Sequence, residues 1–211
     1  MKKLIALLLI LAAAGIAQAK DNRTKKKSMK EQTKKEDTAV FAGGCFWCMQ
    51  PPFDKAKGVL KTVVGYSGGR KKNPTYEEVC AETTGHMESI QVTFDLSLTN
   101  YPELLEIFWR QVDPTDPAGQ FCDKGESYRS AIFYNGEDQK KKALLSIENL
   151  EKSGRYGGKK IVTPVVQASE FWPAEEYHQK YYRKNPLRYK FYRYNCGRDK
   201  YLEKIWGKSD H

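Results

Sequence analysis

The chain has 211 residues, 40% of them hydrophobic and 29% charged, with a net charge of +10 at neutral pH. That is enough chain for one domain with a sizeable core, and the charge alone would fit a nucleic-acid binder. Six of the ten excess positive charges precede residue 38, however, so the remainder lacks the concentrated basic face that nucleic-acid recognition requires.

Residues 1–19 combine a basic start at Lys2 and Lys3, an apolar run over 4–14 and the small-x-small stretch Ala17-Gln18-Ala19, the pattern of a signal peptide. The apolar run is shorter than the about 20 residues that a membrane-spanning helix needs. No cysteine follows the cleavage site. The expectation is an exported protein, periplasmic or extracytoplasmic, beginning near Lys20 without a lipid anchor. Residues 20–37 hold eight basic and four acidic side chains and no aromatic or branched apolar one, so they are expected to form a disordered basic linker. Residues 38–211 are left as a single domain.

Within that domain, 38–42 reads as a short buried strand and 45–57 as a helix ended or interrupted near Pro51-Pro52. The β-branched stretch 59–66 reads as a strand closed by Ser67-Gly68-Gly69, and Pro74 opens a short helix through Cys80. Residues 86–94 alternate: Met87, Ser89, Gln91 and Thr93 on one side, Glu88, Ile90, Val92 and Phe94 on the other. Glu88 thus shares an apolar face, and its carboxyl is predicted to point inward. Spacings of three and four over 101–112 predict an amphipathic helix ended by Asp113-Pro114. A strand over 128–134, a charged helix over 138–152, a strand over 161–168 and helices over 174–183 and 199–206 follow. The alternation predicts an α+β single domain, a two-layer α/β sandwich with a mixed central sheet.

The run Phe41-Ala42-Gly43-Gly44-Cys45-Phe46-Trp47-Cys48 carries the chemistry. Glycines permit a sharp strand-to-helix turn, and the helix N-terminus is expected to favour a thiolate at Cys45. Phe46 and Trp47 make an apolar wall suited to a small hydrophobic group. Five cysteines, an odd number for an exported chain, leave at least one thiol without a structural partner. They form no paired CxxC…CxxC array, so neither a metal nor another cofactor is expected.

Several further stretches join that run: Gly65-Tyr66-Ser67-Gly68-Gly69, Asn73-Pro74-Thr75-Tyr76-Glu77-Glu78-Val79-Cys80, Thr84-Gly85-His86-Met87-Glu88, Tyr128-Arg129-Ser130-Ala131-Ile132 and Ala174-Glu175-Glu176-Tyr177-His178-Gln179. Together they make residues 39 to about 190 resemble the A-type peptide methionine sulfoxide reductases. The resemblance implies reduction of methionine S-sulfoxide, free or in proteins, with Cys45 as nucleophile and Phe46 and Trp47 around the substrate's S-methyl group. It implies Glu88 as the acid, Tyr76 and Tyr128 as hydroxyls facing the sulfoxide oxygen, and Asp123 as a carboxylate that helps hold the substrate backbone. A thioredoxin-like donor would recycle the enzyme, and a monomer is expected. The residue types suit the reaction: oxygen leaves sulfur readily only when protonated, and a carboxyl kept neutral by burial can supply that proton.

The common family pattern has Gly where this chain has Cys48. After attack, Cys45 would be a sulfenic acid, which condenses with a second thiol. Cys196, in a tail assumed mobile, is favoured as that thiol; Cys48 is the other candidate. Cys80 is read as structural, Cys122 stays open, and His86 and His178 are given structural roles. Two rivals are a thioredoxin-like disulfide oxidoreductase using Cys45 and Cys48, which would need no Glu88, and a non-catalytic binding module.

Overall fold

The computed structural model describes residues 35–208. The predicted signal peptide over 1–19 and nearly all of the linker over 20–37 lie outside the described residues. Strand β1 (Glu36–Gly43) begins two residues earlier than predicted. It continues through the helix α1 (Phe46–Asp54) into β2 (Val59–Ser67). A short helix α2 (Tyr76–Cys80) starts with Thr75 and Glu78 in a reciprocal capping box, which satisfies two backbone donors at once. Next come β3 (Met87–Asp95) and α3 (Tyr101–Trp109), the latter capped by Asn100.

Strand β3 alternates as its sequence requires. Ile90, Val92 and Phe94 are fully buried, and Glu88 is 2% exposed on the same face. That face packs against Met49 and Phe53 of α1, Leu104, Leu105 and Phe108 of α3, and Ala143 and Leu150 of α4 (Glu137–Lys152). Each such apolar side chain contributes about 1.5–3 kcal/mol by burial.

The hairpin β4 (Gly119–Gln120) and β5 (Asp123–Lys124) precedes β6 (Ser130–Tyr134), and β7 (Val165–Gln167) and β8 (Trp172–Pro173) complete the strands. The main sheet runs β7-β6-β1-β3-β2-β8. Only the β6–β7 pair is parallel, so the sheet is mixed and the α+β sandwich is as predicted. At the end of β1, Ala42 faces Ser89 and Gly43 faces Ser130. Glu88 therefore lies just beyond the last β1 pair, beneath the turn that carries Cys45.

Several elements differ from the sequence expectation. Helix α1 runs through both prolines to Asp54. Tyr128 belongs to a 3-10 turn (Glu126–Tyr128), and the strand begins only at Ser130. Of 161–168, only Val165–Gln167 pairs as a strand, since Pro164 has no N–H to give a ladder. The helix expected over 174–183 is a 3-10 turn (Glu176–His178), a left-handed Lys180 and the short α5 (Tyr181–Lys184). There Gln179 turns inward, its amide bonding both the N–H and the C=O of Val64, which a continuous helix would not allow. Helix α6 (Pro186–Asn195) was missed, and α7 (Arg198–Trp206) closes the chain.

The turn between β1 and α1 depends on Gly44. Its φ is +74°, and a Cβ built there would lie 2.5 Å from the Cβ of Gln120. Gly44→Ala is expected to lower stability by about 1–3 kcal/mol, read as a lower denaturant midpoint. An unchanged midpoint would mean that the turn relaxes freely.

Candidate active site

Cys45 occupies the N-cap position of α1, with φ −50° and ψ 117°, and its carbonyl accepts from the Cys48 N–H at 3.0 Å. The first N–H of the helix, that of Phe46, donates to Oε2 of Glu88 at 2.9 Å. Glu88 has no arginine bonded to it among the described residues. Burial pushes its carboxyl up to about 8, assisted by the Asp123 and Cys48 charges and opposed by the Phe46 N–H. It is therefore a neutral acid near pH 7, with one oxygen tied to the backbone and the other left to carry a proton.

The thiolate expected at Cys45 is not what the geometry favours. The helix N–H that would have stabilised it is spent on Glu88. Burial drives the Cys45 thiol well up, and the hydrogen bond and negative charge of Cys48 add to this. Cys48, accepting that bond from Cys45 and lying near Arg198 and Arg193, is brought down to about 6. Burial and its neighbour thus oppose ionisation of Cys45, while the two arginines favour ionisation of Cys48.

The two arginines come from the end of the chain. Pro52 has no N–H to offer the Cys48 carbonyl four residues back, and Arg193 Nη1 fills the vacancy at 3.2 Å. Arg198 is fully buried and gives its protons to the carbonyls of Gln111 (2.7 Å) and Gly43 (3.1 Å). Its guanidinium also lies 4.6 Å over the Phe121 ring. No carboxylate bonds it among the described residues.

Tyr76 and Tyr128 both sense the charges of Glu88, Cys45 and Cys80. Burial pushes both phenols far up, so both keep their protons. The Tyr76 N–H is fixed by Glu175 Oε1 at 2.9 Å, while Glu175 Oε2 accepts from Tyr66 at 2.7 Å.

Trp47 is clamped. Its ring stacks on Tyr181 at 3.7 Å, and its Nε1–H donates to His178 Nδ1 at 3.0 Å. Burial lowers His178 to about 4, so a neutral imidazole orients Trp47. Phe46 packs 5.0 Å from His178 and 6.1 Å from Tyr66. His86 holds a loop instead, accepting from the Gly69 N–H at 3.0 Å and bonding the Lys71 carbonyl at 2.7 Å. The structural reading of both histidines agrees with this geometry.

Cys196 is not in a free tail. It caps α6, is buried, and is bonded to Cys122 with 4.9 Å between Cα atoms. Its sulfur is thus already occupied, and the thiol in contact with Cys45 is that of Cys48. Asp123 beside Cys122 accepts a hydrogen bond from Tyr192, and burial raises its carboxyl. Cys122, Asp123 and Cys196 bring three metal-donor atoms within 4.8 Å. Metals take thiolates, and here the two sulfurs are bonded to each other. A cavity of about 700 Å³ between α1, α3 and α7 contains none of Cys45, Glu88, Tyr76 or Tyr128; the convergent polar groups, not cavity size, mark the site.

Of the sequence-predicted residues, Phe46, Trp47 and Cys48 follow Cys45 on α1, Glu88 bonds the Phe46 N–H, Tyr76 and Tyr128 sense both Glu88 and Cys45, and Asp123 lies beside Cys196. Sequence reasoning missed Tyr192, Arg193 and Arg198. Their segment has no apolar periodicity, and its one visible signal is a dense mixture of tyrosine and arginine.

The family model described as "Peptide methionine sulfoxide reductase" matches residues 37–210. Among curated proteins, the chain is 52% identical over 174 residues to the peptide methionine sulfoxide reductase MsrA of Bacillus licheniformis, covering 82% of this chain and 96% of that protein. Among solved structures, it resembles methionine sulfoxide reductase A of Corynebacterium diphtheriae, with a TM-score of 0.68 and 33% identity over 74% of this chain and 78% of that one. The reduced form of Mxr1 from Saccharomyces cerevisiae gives a TM-score of 0.68 and 30% identity over 74% of this chain and 89% of that one.

The raised carboxyl of Glu88 has a consequence for stability. An acid whose folded-state pKa exceeds its unfolded value holds an extra proton in the folded protein. Its contribution is full below the unfolded pKa and is lost as pH rises to about 8. Urea unfolding of wild type and Glu88→Gln should diverge accordingly. Wild type is expected to lose about 1.4 kcal/mol per pH unit relative to the variant from about pH 5 to 7.5. Parallel curves would show a carboxyl that is not held neutral.

Proposed function

We infer the activity from the family: the chain belongs to the peptide methionine sulfoxide reductases, and we propose that it reduces methionine S-sulfoxide to methionine with Cys45 as nucleophile. The observation that carries the reading is a buried, neutral Glu88 beneath the Cys45 turn, with two protonated phenols beside it.

Cys45, as thiolate, attacks the sulfoxide sulfur while its methyl group rests between Phe46 and Trp47. Tyr76 and Tyr128 hydrogen-bond the oxygen without adding full charge, and Glu88 gives it a proton as the S–O bond breaks. Thiolate, sulfoxide and proton become a sulfenic acid at Cys45 and a free thioether. The sulfoxide gains two electrons, and Cys45 loses them.

We assign the second step to Cys48. Its thiolate, favoured by Arg198 and Arg193, attacks the Cys45 sulfur; the oxygen leaves as water after taking one more proton, and a Cys45–Cys48 disulfide forms. An external dithiol of the thioredoxin kind would return it to two thiols by exchange. Asp123 would hold the substrate backbone.

Export remains part of the proposal. It rests on the pattern over 1–19 and is supported by the Cys122–Cys196 disulfide, a bond that persists in oxidising compartments. The mature protein recovered from its native host is expected to begin near Lys20. An intact N-terminus at Met1 would remove this element of the proposal.

A variant series assayed on an S-sulfoxide peptide separates the roles. Cys45→Ser should abolish reduction. Glu88→Gln should slow the single turnover about 10²–10⁴-fold, whereas a plain disulfide oxidoreductase would not need the carboxyl. Cys48→Ser should release one methionine per enzyme, accumulate the sulfenic acid and stall with a thioredoxin donor. If Cys196→Ser stalls instead and Cys48→Ser cycles normally, the resolving thiol has been misassigned.

A further inference from the structure

Helix α6 turns an apolar stripe to the outside of the protein. No residue of it is fully buried, and Leu187, Phe191 and Tyr194 are 82%, 72% and 83% exposed. Their spacings of four and three place them on one face of the helix. The opposite face is engaged with the rest of the domain: Tyr192 donates to Asp123, and Arg193 donates to the Cys48 carbonyl at 3.2 Å. Helices in proteins ordinarily pack their apolar face inward, and this one presents it to the surroundings.

Positive charge surrounds that stripe. Between Glu176 and Asp199 the chain has seven lysines and arginines and no acidic residue. Lys180 is paired with Asp54, Lys184 with Glu176 and Arg193 with Asp199, and Arg198 is buried on carbonyls. Arg183, Arg188 and Lys190 are exposed and have no carboxylate partner among the described residues. Successive helical residues turn by about 100°, so Lys190 falls on one flank of the stripe and Arg188 on the other. Such side chains can lay their apolar stems along a hydrophobic surface and keep their charged heads in a polar layer.

We propose that α6 docks the protein on a bilayer surface rich in anionic phospholipid, with Leu187, Phe191 and Tyr194 at the boundary of headgroups and acyl chains and Arg188 and Lys190 on the phosphates. A helix that is apolar along one side and basic at its edges binds in the plane of such an interface. Tyrosine suits that depth, because its ring is apolar and its hydroxyl polar. Three apolar side chains and a few charges give a weak, reversible attachment. A second copy of the chain suits this face less well. Two copies would set Arg188 and Lys190 against their own equivalents, and the stripe is far smaller than the about 20–30 residues that each partner gives to a stable interface. The proposal does not depend on the activity inferred above.

The consequence for the site follows from the two faces of α6. With its outer face on lipid, the groups that Tyr192 and Arg193 touch lie roughly one helix diameter, about 10 Å, from the surface. Asp123 and Cys48 are among them, so the site would be held close to protein segments lying on that surface.

Wild type, Leu187→Ser/Phe191→Ser/Tyr194→Ser and Arg188→Gln/Lys190→Gln are compared as full chains with the same N-terminal residues. Co-sedimentation is measured with vesicles of mixed phosphatidylglycerol and phosphatidylcholine, and with phosphatidylcholine alone. Amide hydrogen exchange over 187–195 is followed with and without vesicles. All five positions are exposed, so both variants should keep their fold and the wild-type single turnover on a soluble sulfoxide peptide. Wild type should bind the anionic vesicles, bind less as salt rises, and exchange more slowly over α6 when bound. The triple serine variant is expected to lose about 10- to 100-fold in vesicle affinity. The double glutamine variant should lose about 30-fold, near fivefold for each charge removed. Failure of wild type to bind anionic vesicles overturns the proposal. Binding that survives in both variants, with unchanged exchange over α6, assigns attachment to the basic residues before residue 38 and overturns it equally. Equal binding to phosphatidylcholine alone removes the role of Arg188 and Lys190. Protection of α6 without vesicles, together with a doubled mass in solution, makes the stripe a contact between copies. Variants that bind vesicles normally and yet cycle poorly with a dithiol donor assign the face to a protein partner, and the membrane role is then wrong.

Discussion

The hydrogen bond from the Phe46 N–H to the Glu88 carboxyl is the constraint around which the site is arranged. A helix N-terminus is a place of partial positive charge, and here its first donor is aimed at a buried carboxyl on the neighbouring strand. One donor is not enough to ionise that group against its burial. It orients the carboxyl and leaves it protonated near neutral pH. The same bond withdraws the N–H from Cys45, which consequently behaves as a buried thiol. The position of the acid and the reluctance of the nucleophile thus have one origin.

The charge missing at the helix end is supplied from the far end of the chain. Arg198 is fully buried and bonded to carbonyls. A buried cation without a formal partner is destabilising by several kcal/mol, which is reason to look for an anion near it. Cys48 is the group that answers, since its thiol is lowered by both arginines. Pro52 contributes through an absence: by leaving the Cys48 carbonyl without a helical donor, it creates the acceptor that fixes Arg193. A proline pair that reads in sequence as a helix breaker is, in the fold, part of the arrangement that charges a cysteine.

The parts legible in the sequence are those with local periodicity or turn chemistry. Strand β3 and the inward Glu88 followed from alternation alone, and the Cys45 turn followed from its glycines. The family resemblance added Tyr76, Tyr128 and Asp123, which no period would single out among thirteen tyrosines. What could not be read was non-local. Cys196 is in a segment that reads as a mobile tail, yet its partner lies 74 residues away, and no local pattern encodes that distance. Helix α6 was invisible because it buries no apolar stripe. The failed helix over 174–183 has the same cause: Glu175, His178 and Gln179 turn toward β2, α2 and Trp47, and those tertiary bonds outweigh helical propensity.

The five cysteines divide by environment rather than by spacing. Cys80 is exposed beside two phenols, Cys122 and Cys196 are joined, and Cys45 and Cys48 remain as a buried pair of free thiols with arginines on one side and a neutral acid on the other. A CxxC pair in a helix is commonly expected to place its reactive thiolate at the first cysteine, where the helix end favours it. Here Glu88 has taken the first N–H of the helix, and the arginines favour ionisation of the second cysteine. That arrangement suits a two-step reaction. The first cysteine needs its charge only while a sulfoxide is present. The second must be a ready nucleophile as soon as the first has been oxidised, before a sulfenic acid can advance to irreversible states. Arginines that favour the thiolate of Cys48 serve that order of events.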